Sequence, residues 1–151
     1  MKSVNRCSTN DCIVSRNMAL SSHIAAGVLQ NAPMTYQPTE SISSWHAHVY
    51  FDAQTRDAAW ALREALAAEF AGRFEMGRFH EKPVGPHPLW TYQLAFAPEQ
   101  FSAITAWLTL NHGALDVLVH PNTGNQLRDH RDCAVWIGQS HTLDLSVLED
   151  K

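Results

Sequence analysis

The chain has 151 residues, 45% hydrophobic and 17% charged, which allows one domain with a real core and an ordinary globular class. A formal net charge of −4 gives no footing for a nucleic-acid partner. No apolar run approaches the roughly 18 residues that a membrane span needs, so no membrane is expected either. Three cysteines, Cys7, Cys12 and Cys133, form no CxxC pair. They suggest neither a disulfide framework nor a zinc knuckle, and a reducing cytoplasm is the expected location. Nine histidines are the compositional anomaly, seven of them between His46 and His130.

Residues 1–43 lack periodicity and are rich in Ser, Asn and Thr, so they read as a mobile N-terminal extension. A short helix over Ala19–Leu29 is the one element expected there, and initiation at Met18 or Met34 would account for the segment equally well. The folded domain is expected over 44–151. It opens on a strand, Trp45–Phe51, in which His46, His48 and Tyr50 share one face and Ala47, Val49 and Phe51 the other. A face with two imidazoles and a phenol is expensive to bury unless something binds there.

A helix follows, with Thr55 as N-cap, Asp57 in the first turn, Leu62, Leu66 and Phe70 at helical spacing, and Gly72 at its end. A second strand is expected over 73–81, with Phe74, Met76, Arg78 and His80 on one face. Lys82–Pro88 holds three prolines and a glycine, a stiff loop that fixes His87. The third strand is Leu89–Phe96. A second helix starts near Pro98, with Phe101, Ile104 and Leu108 on its buried face and Gly113 at its close. The fourth strand, Leu115–His120, sets Val117 and Val119 against Asp116, Leu118 and His120. After a loop over 121–125 and the charged run Arg128–Asp132, two short strands are expected, about 133–138 and 142–148.

The order β-α-β-β-α-β predicts an α+β fold, a ferredoxin-like sandwich with both helices on one face, an open sheet face, and extra C-terminal strands. The expected strand order is 4-1-3-2, with strand 1 parallel to strand 3 and antiparallel to strand 4. On that layout His46, His48, His80, His87 and His120 gather at one end of the open face. Neutral imidazoles suit Zn, Cu, Fe or Ni, and three protein ligands with open positions suit catalysis. His48, His120 and then His80 rank first as ligands; His46 and His87 follow, as ligands or acid–base groups. Either the set is all histidine or Asp129 or Asp132 joins it from the loop.

From Trp45 onward the chain resembles the small DOPA 4,5-dioxygenase family of fungi and bacteria. His46-Ala47-His48-Val49-Tyr50-Phe51, Pro83-Val84-Gly85-Pro86-His87-Pro88, Leu118-Val119-His120-Pro121-Asn122-Thr123-Gly124 and Asp129-His130 carry the resemblance. It implies extradiol cleavage of a catechol by O₂ at a non-haem Fe(II), for which zinc or another divalent metal could stand in a purified sample. With L-DOPA, a cut between ring carbons 4 and 5 gives a semialdehyde that cyclises to betalamic acid. On this reading His48, His80 and His120 hold the metal, and His46 and His87 move the catechol proton. Tyr50, Arg128 and His130 meet the substrate, and Arg78, Lys82 or Arg131 could also take its carboxylate. The alternatives are another metalloenzyme on the same cluster, such as a zinc hydrolase or a copper or iron oxidase, or a non-catalytic metal- or ligand-binding module. Leu118 and Met76 on an exposed sheet face predict a homodimer.

Overall fold

The computed structural model describes residues 35–148, and from Tyr36 onward they belong to one compact unit. Residues 1–34 of the expected extension, with the helix expected over Ala19–Leu29, lie outside the described residues. The elements run β1 (Ser44–Phe51), α1 (Arg56–Glu69), β2 (Phe74–Met76), β3 (Trp90–Phe96), α2 (Phe101–Asn111), β4 (Asp116–Asn122), α3 (Gln126–Arg131) and β5 (Val135–Ile137). Short 3₁₀ turns cover Thr39–Ser41, Pro98–Gln100 and Leu145–Leu148. Five strands form one sheet in the order β2-β3-β1-β4-β5, and every neighbouring pair is antiparallel. Among the described residues no helix is long and apolar enough to cross a membrane.

Strand alternation decides which face is which. Ala47, Val49 and Phe51 of β1 join Tyr92, Leu94 and Phe96 of β3 and Val117 and Val119 of β4 in the core. Ala59, Leu62 and Leu66 of α1 and Ile104 and Leu108 of α2 cover that face. Burying each large aliphatic side chain contributes about 1.5–3 kcal/mol, which fixes the register, because a one-residue slip would carry the apolar set to the other face. At the start of α1, Thr55 is the N-cap, but its side chain makes no cap bond. Asp52 closes the turn instead, its Oδ1 accepting from the N–H groups of Gln54 and Thr55, both at 2.9 Å.

Several expectations are corrected. β1 and β3 are antiparallel, with Phe51 opposite Trp90 and Trp45 opposite Phe96. The α1 crossover returns the chain parallel to β1, and β3 then turns back between them. The start of β3 therefore lies beside the end of β1, and His80, bridged to Thr91, sits at the Tyr50 end of the face, away from His120 opposite His46.

Regular strand β2 also stops at Met76. Gly77 donates its N–H to the Gln93 carbonyl at 2.7 Å, and a Cβ there would lie 3.0 Å from the same oxygen. The close approach breaks the alternation, so Phe74 and Met76 pack on the core while His80 pairs with Thr91 on the other face. Leu118 is buried and Met76 packs against the core, so neither forms the exposed patch on which the homodimer was argued.

Beyond β4, the expected loop contains α3, whose N-cap Asn125 accepts from the Arg128 N–H through its side-chain oxygen. Only one of the two C-terminal strands forms, as β5. Residues 142–148 turn instead, because Asp144 Oδ1 captures the Ser146 N–H and hydroxyl, and the Asp144 N–H bonds the Pro86 carbonyl at 2.9 Å.

Gly138 ends β5 at φ 85°, and a Cβ there would collide with the Asp116 carboxylate. Gly138→Ala combines left-handed strain with that collision and should lower unfolding stability by about 1–3 kcal/mol. Denaturant titration measures the difference; an unchanged midpoint would refute the packing described.

Candidate metal centre

The face away from α1 and α2 carries the histidines. His46 and His48 stand on β1, and the antiparallel register sets His120 of β4 directly opposite His46. α3 adds His130, whose ring centroid lies 3.9 Å from that of His120. The proline loop adds His87, 4.1 Å from His48 between centroids. His48, His87 and His120 are buried.

Two groupings bring possible ligand atoms within 4.8 Å of one another: His46, His48 and His120, and His48, His87 and His130. They share His48. Among the described residues both are all histidine. The carboxylates proposed to join them are engaged elsewhere. Asp129 accepts from the Thr123 N–H at 2.8 Å and from its hydroxyl at 2.6 Å. Asp132 is held by two bonds from Arg131.

His48 Nε2 and His120 Nε2 are 3.1 Å apart. With metal–nitrogen bonds of about 2.0–2.1 Å, two ligands sit about 2.8–3.0 Å apart on an octahedral ion and about 3.3–3.4 Å apart on a tetrahedral one, so a pair at 3.1 Å fits one ion. The outer nitrogens are anchored as metal ligands usually are. His120 Nδ1–H donates to the Pro121 carbonyl at 2.9 Å, and His130 Nδ1–H to the Gln126 carbonyl at 2.8 Å. Each leaves an Nε2 lone pair free. His46 Nε2 lies 2.9 Å from the Asn122 side-chain amide, which also donates to Ser44 Oγ.

Desolvation disfavours the imidazolium form throughout, and neighbouring imidazoles add to it. Burial, then His87 and His120, push His48 well below its usual value. Burial, then His130, take His120 down to about 3 and His87 down to about 4. Burial likewise lowers His46 and His130. The cluster is neutral at pH 7, the state a metal requires. Burial raises Tyr50, which stays protonated; its hydroxyl lies 2.7 Å from His87 Nδ1 and donates to it. Neutral His87 then carries its own proton on Nε2.

The remaining expected residues divide. His80 belongs to neither grouping; it lines a cleft of about 270 Å³ with His48, Arg78 and His87. Arg128 is half-buried on α3, where its charge acts on Asp132. A second cleft of about 450 Å³ is lined by His130, Trp136 and His141. Neither His141 nor Asp116 is among the residues that the sequence points to. They meet at 2.8 Å. No local pattern joins residues 25 apart; only the turn at Gly138 does.

A lowered folded-state pKa makes an imidazole unfavourable to protonate, so the unfolded chain binds more protons below the unfolded value of 6.5. Stability of the metal-free protein is then full above that pH and falls on acidification, through the span down to about 4 for His87 and about 3 for His120. The slope is up to about 1.4 kcal/mol per pH unit for each such group. Thermal melts from pH 8 to 4 should fall steeply below 6.5, and His87→Gln should flatten the fall. A pH-independent midpoint would contradict the buried neutral cluster.

Three comparisons place these features. The Dopa 4,5-dioxygenase family model matches residues 45–147, which include all five clustered histidines. A DOPA 4,5-dioxygenase of Amanita muscaria is 38% identical over 117 residues, 73% of this chain and 51% of that protein. An uncharacterised 21.2 kDa protein of Botryotinia fuckeliana is 36% identical over 117 residues, 70% of this chain and 63% of that one. The chain thus spans between about half and two thirds of the length of these curated relatives. The crystal structure of a proposed dioxygenase from Nostoc punctiforme superposes with a TM-score of 0.71 at 44% identity, covering 75% of this chain and 96% of that one. With the family model matched from Trp45 in the histidine strand to beyond the last strand, the chain belongs to the Dopa 4,5-dioxygenase family.

Proposed function

We propose that the protein is an extradiol ring-cleaving dioxygenase that uses O₂ to open L-DOPA or a related catechol at a histidine-bound non-haem iron. The observation that carries this reading is the buried, all-histidine cluster with its Nε2 pair at 3.1 Å, in a chain of a dioxygenase family. The order βαββαβ, with sheet order β2-β3-β1-β4, supports a ferredoxin-like core beneath it.

His48 and His120 hold the ion through the close pair, and His46 completes the grouping from the same two strands. Paired strands are rigid, which suits ligands better than loops do. Asn122 sets the tautomer of His46, since a side-chain amide can present oxygen or nitrogen to the ring. Iron bound there would supply Lewis acidity toward the catechol oxygens and a meeting point for O₂. His87, fixed by Tyr50, offers its Nε2–H to a substrate oxygen, and His130 stands against the substrate from α3. His80 on this reading walls the first cleft rather than holding the metal.

The test is anaerobic reconstitution with Fe(II), then air and L-DOPA, followed by oxygen uptake and the appearance of yellow product. Catechol, caffeate and protocatechuate run in parallel. His48→Ala and His120→Ala should each lose the bound iron and at least about 100-fold in oxygen uptake. Turnover of another catechol without L-DOPA would keep the reaction and change the substrate. Iron-loaded protein that consumes no oxygen with any catechol would overturn the reading.

A further inference from the structure

Taking a proton needs an imidazole with its N–H held and the lone pair of its other nitrogen free. The two residues expected for that task offer no such lone pair. His46 belongs to the metal grouping, and His87, whose Nδ1 accepts from Tyr50, carries its own proton on Nε2. His141 has the required arrangement. Its Nε2–H donates to Asp116 Oδ2 at 2.8 Å, the sole pairing of a histidine with a carboxylate among the described residues. Asp116 Oδ1 accepts the Gln139 N–H at 2.7 Å, so the carboxylate cannot swing away. The imidazole also packs on Tyr50 and Trp136, with centroids 5.3 and 5.7 Å apart. It shares the walls of the 450 Å³ cleft with His130, which lies against His120.

We propose that this cleft receives the catechol, that His141 is the catalytic residue that takes its hydroxyl proton, and that Asp116 is the positioning residue behind it. The proposal rests on the catechol-cleavage reading. In the step, the catechol O–H bond breaks and an N–H bond forms at His141 Nδ1. The imidazolium is balanced by the half-buried Asp116 carboxylate beside it, as in other His–Asp pairs. On ring opening the same proton returns to the product, so catechol and O₂ add without net gain or loss of protons. The titratable and charged groups that surround the ring are Asp116 on β4, Tyr50 on β1, and His130 and Arg131 on α3 in the same cleft wall. Arg131 is paired with Asp132. Trp136 supplies an apolar wall for an aromatic ring.

Two readouts test this on His141→Gln, His141→Asn and Asp116→Asn. The first is kcat/KM of the iron-loaded protein against pH. Each His141 variant should lose about 100-fold or more, chiefly in kcat. Asp116→Asn should lose less and move the acid limb of the profile. Iron content should remain at the wild-type level in all three. The second readout needs neither iron nor turnover: 4-nitrocatechol, whose visible spectrum reports its ionisation, is bound to the metal-free protein. Wild type should ionise it at a lower pH than buffer does, and the His141 variants should restore the buffer spectrum.

Variants that melt earlier yet keep wild-type kcat/KM would show that the pair merely clips the C-terminal segment to β4, and would overturn the proposal. So would a wild-type spectrum identical to that in buffer. Wild-type iron protein inert toward every catechol, with the His141-dependent spectral shift intact, would instead overturn the dioxygenase reading alone.

Discussion

Everything at the centre of this molecule depends on the cost of burying imidazoles beside one another. Five rings share a patch on one sheet face, and three of them are almost fully removed from water. Protonating any one would place a charge in a poorly solvated site next to rings that are themselves basic. The cluster escapes that cost by remaining neutral, and neutral rings present lone pairs. The same desolvation that would destabilise an idle group of histidines prepares them as donors to a cation. The site therefore trades stability for readiness, as functional sites commonly do.

The surrounding structure fixes which nitrogen faces inward. Backbone carbonyls of Pro121 and Gln126 take the outer N–H of His120 and His130, and the Asn122 amide meets His46. The outlying segments are tied down in turn. Asp129 ties α3 to the end of β4 through Thr123, Asp144 ties the C-terminal turn to the loop of His87, and Asp116 ties His141 to β4. These three aspartates, among them the candidate ligand Asp129, serve as fasteners. With its carboxylates committed to this work, the cluster is left to imidazole alone. Such a donor set carries no charge of its own, so a divalent ion held there would keep its full positive charge toward an anionic ligand.

The family match and the histidine cluster fall on the same stretch of chain. One compares residue patterns over 45–147; the other measures distances between side chains. The curated relatives are longer than the matched region, and the site described here lies wholly within it.

Alternation in β1 was enough to say that His46, His48 and Tyr50 share a face and that Ala47, Val49 and Phe51 meet the helices, because side-chain direction in a strand is a local property. The apolar spacing of α1 and α2 and the sheet neighbours were legible for similar reasons. Tertiary structure alone decided the rest. Strand direction placed His80 apart from His120, since parallel and antiparallel neighbours have the same alternation but opposite ends. Gly77 broke the face of β2 through a contact with Gln93, which lies beyond the hairpin. Asn125 capped a helix too short for periodicity to reveal. Asp116 and His141 met because one glycine folds the chain back onto β4. Sequence determined what each residue could do and which way it faced. Which of these residues came within bonding distance was set by the packing of segments far apart along the chain.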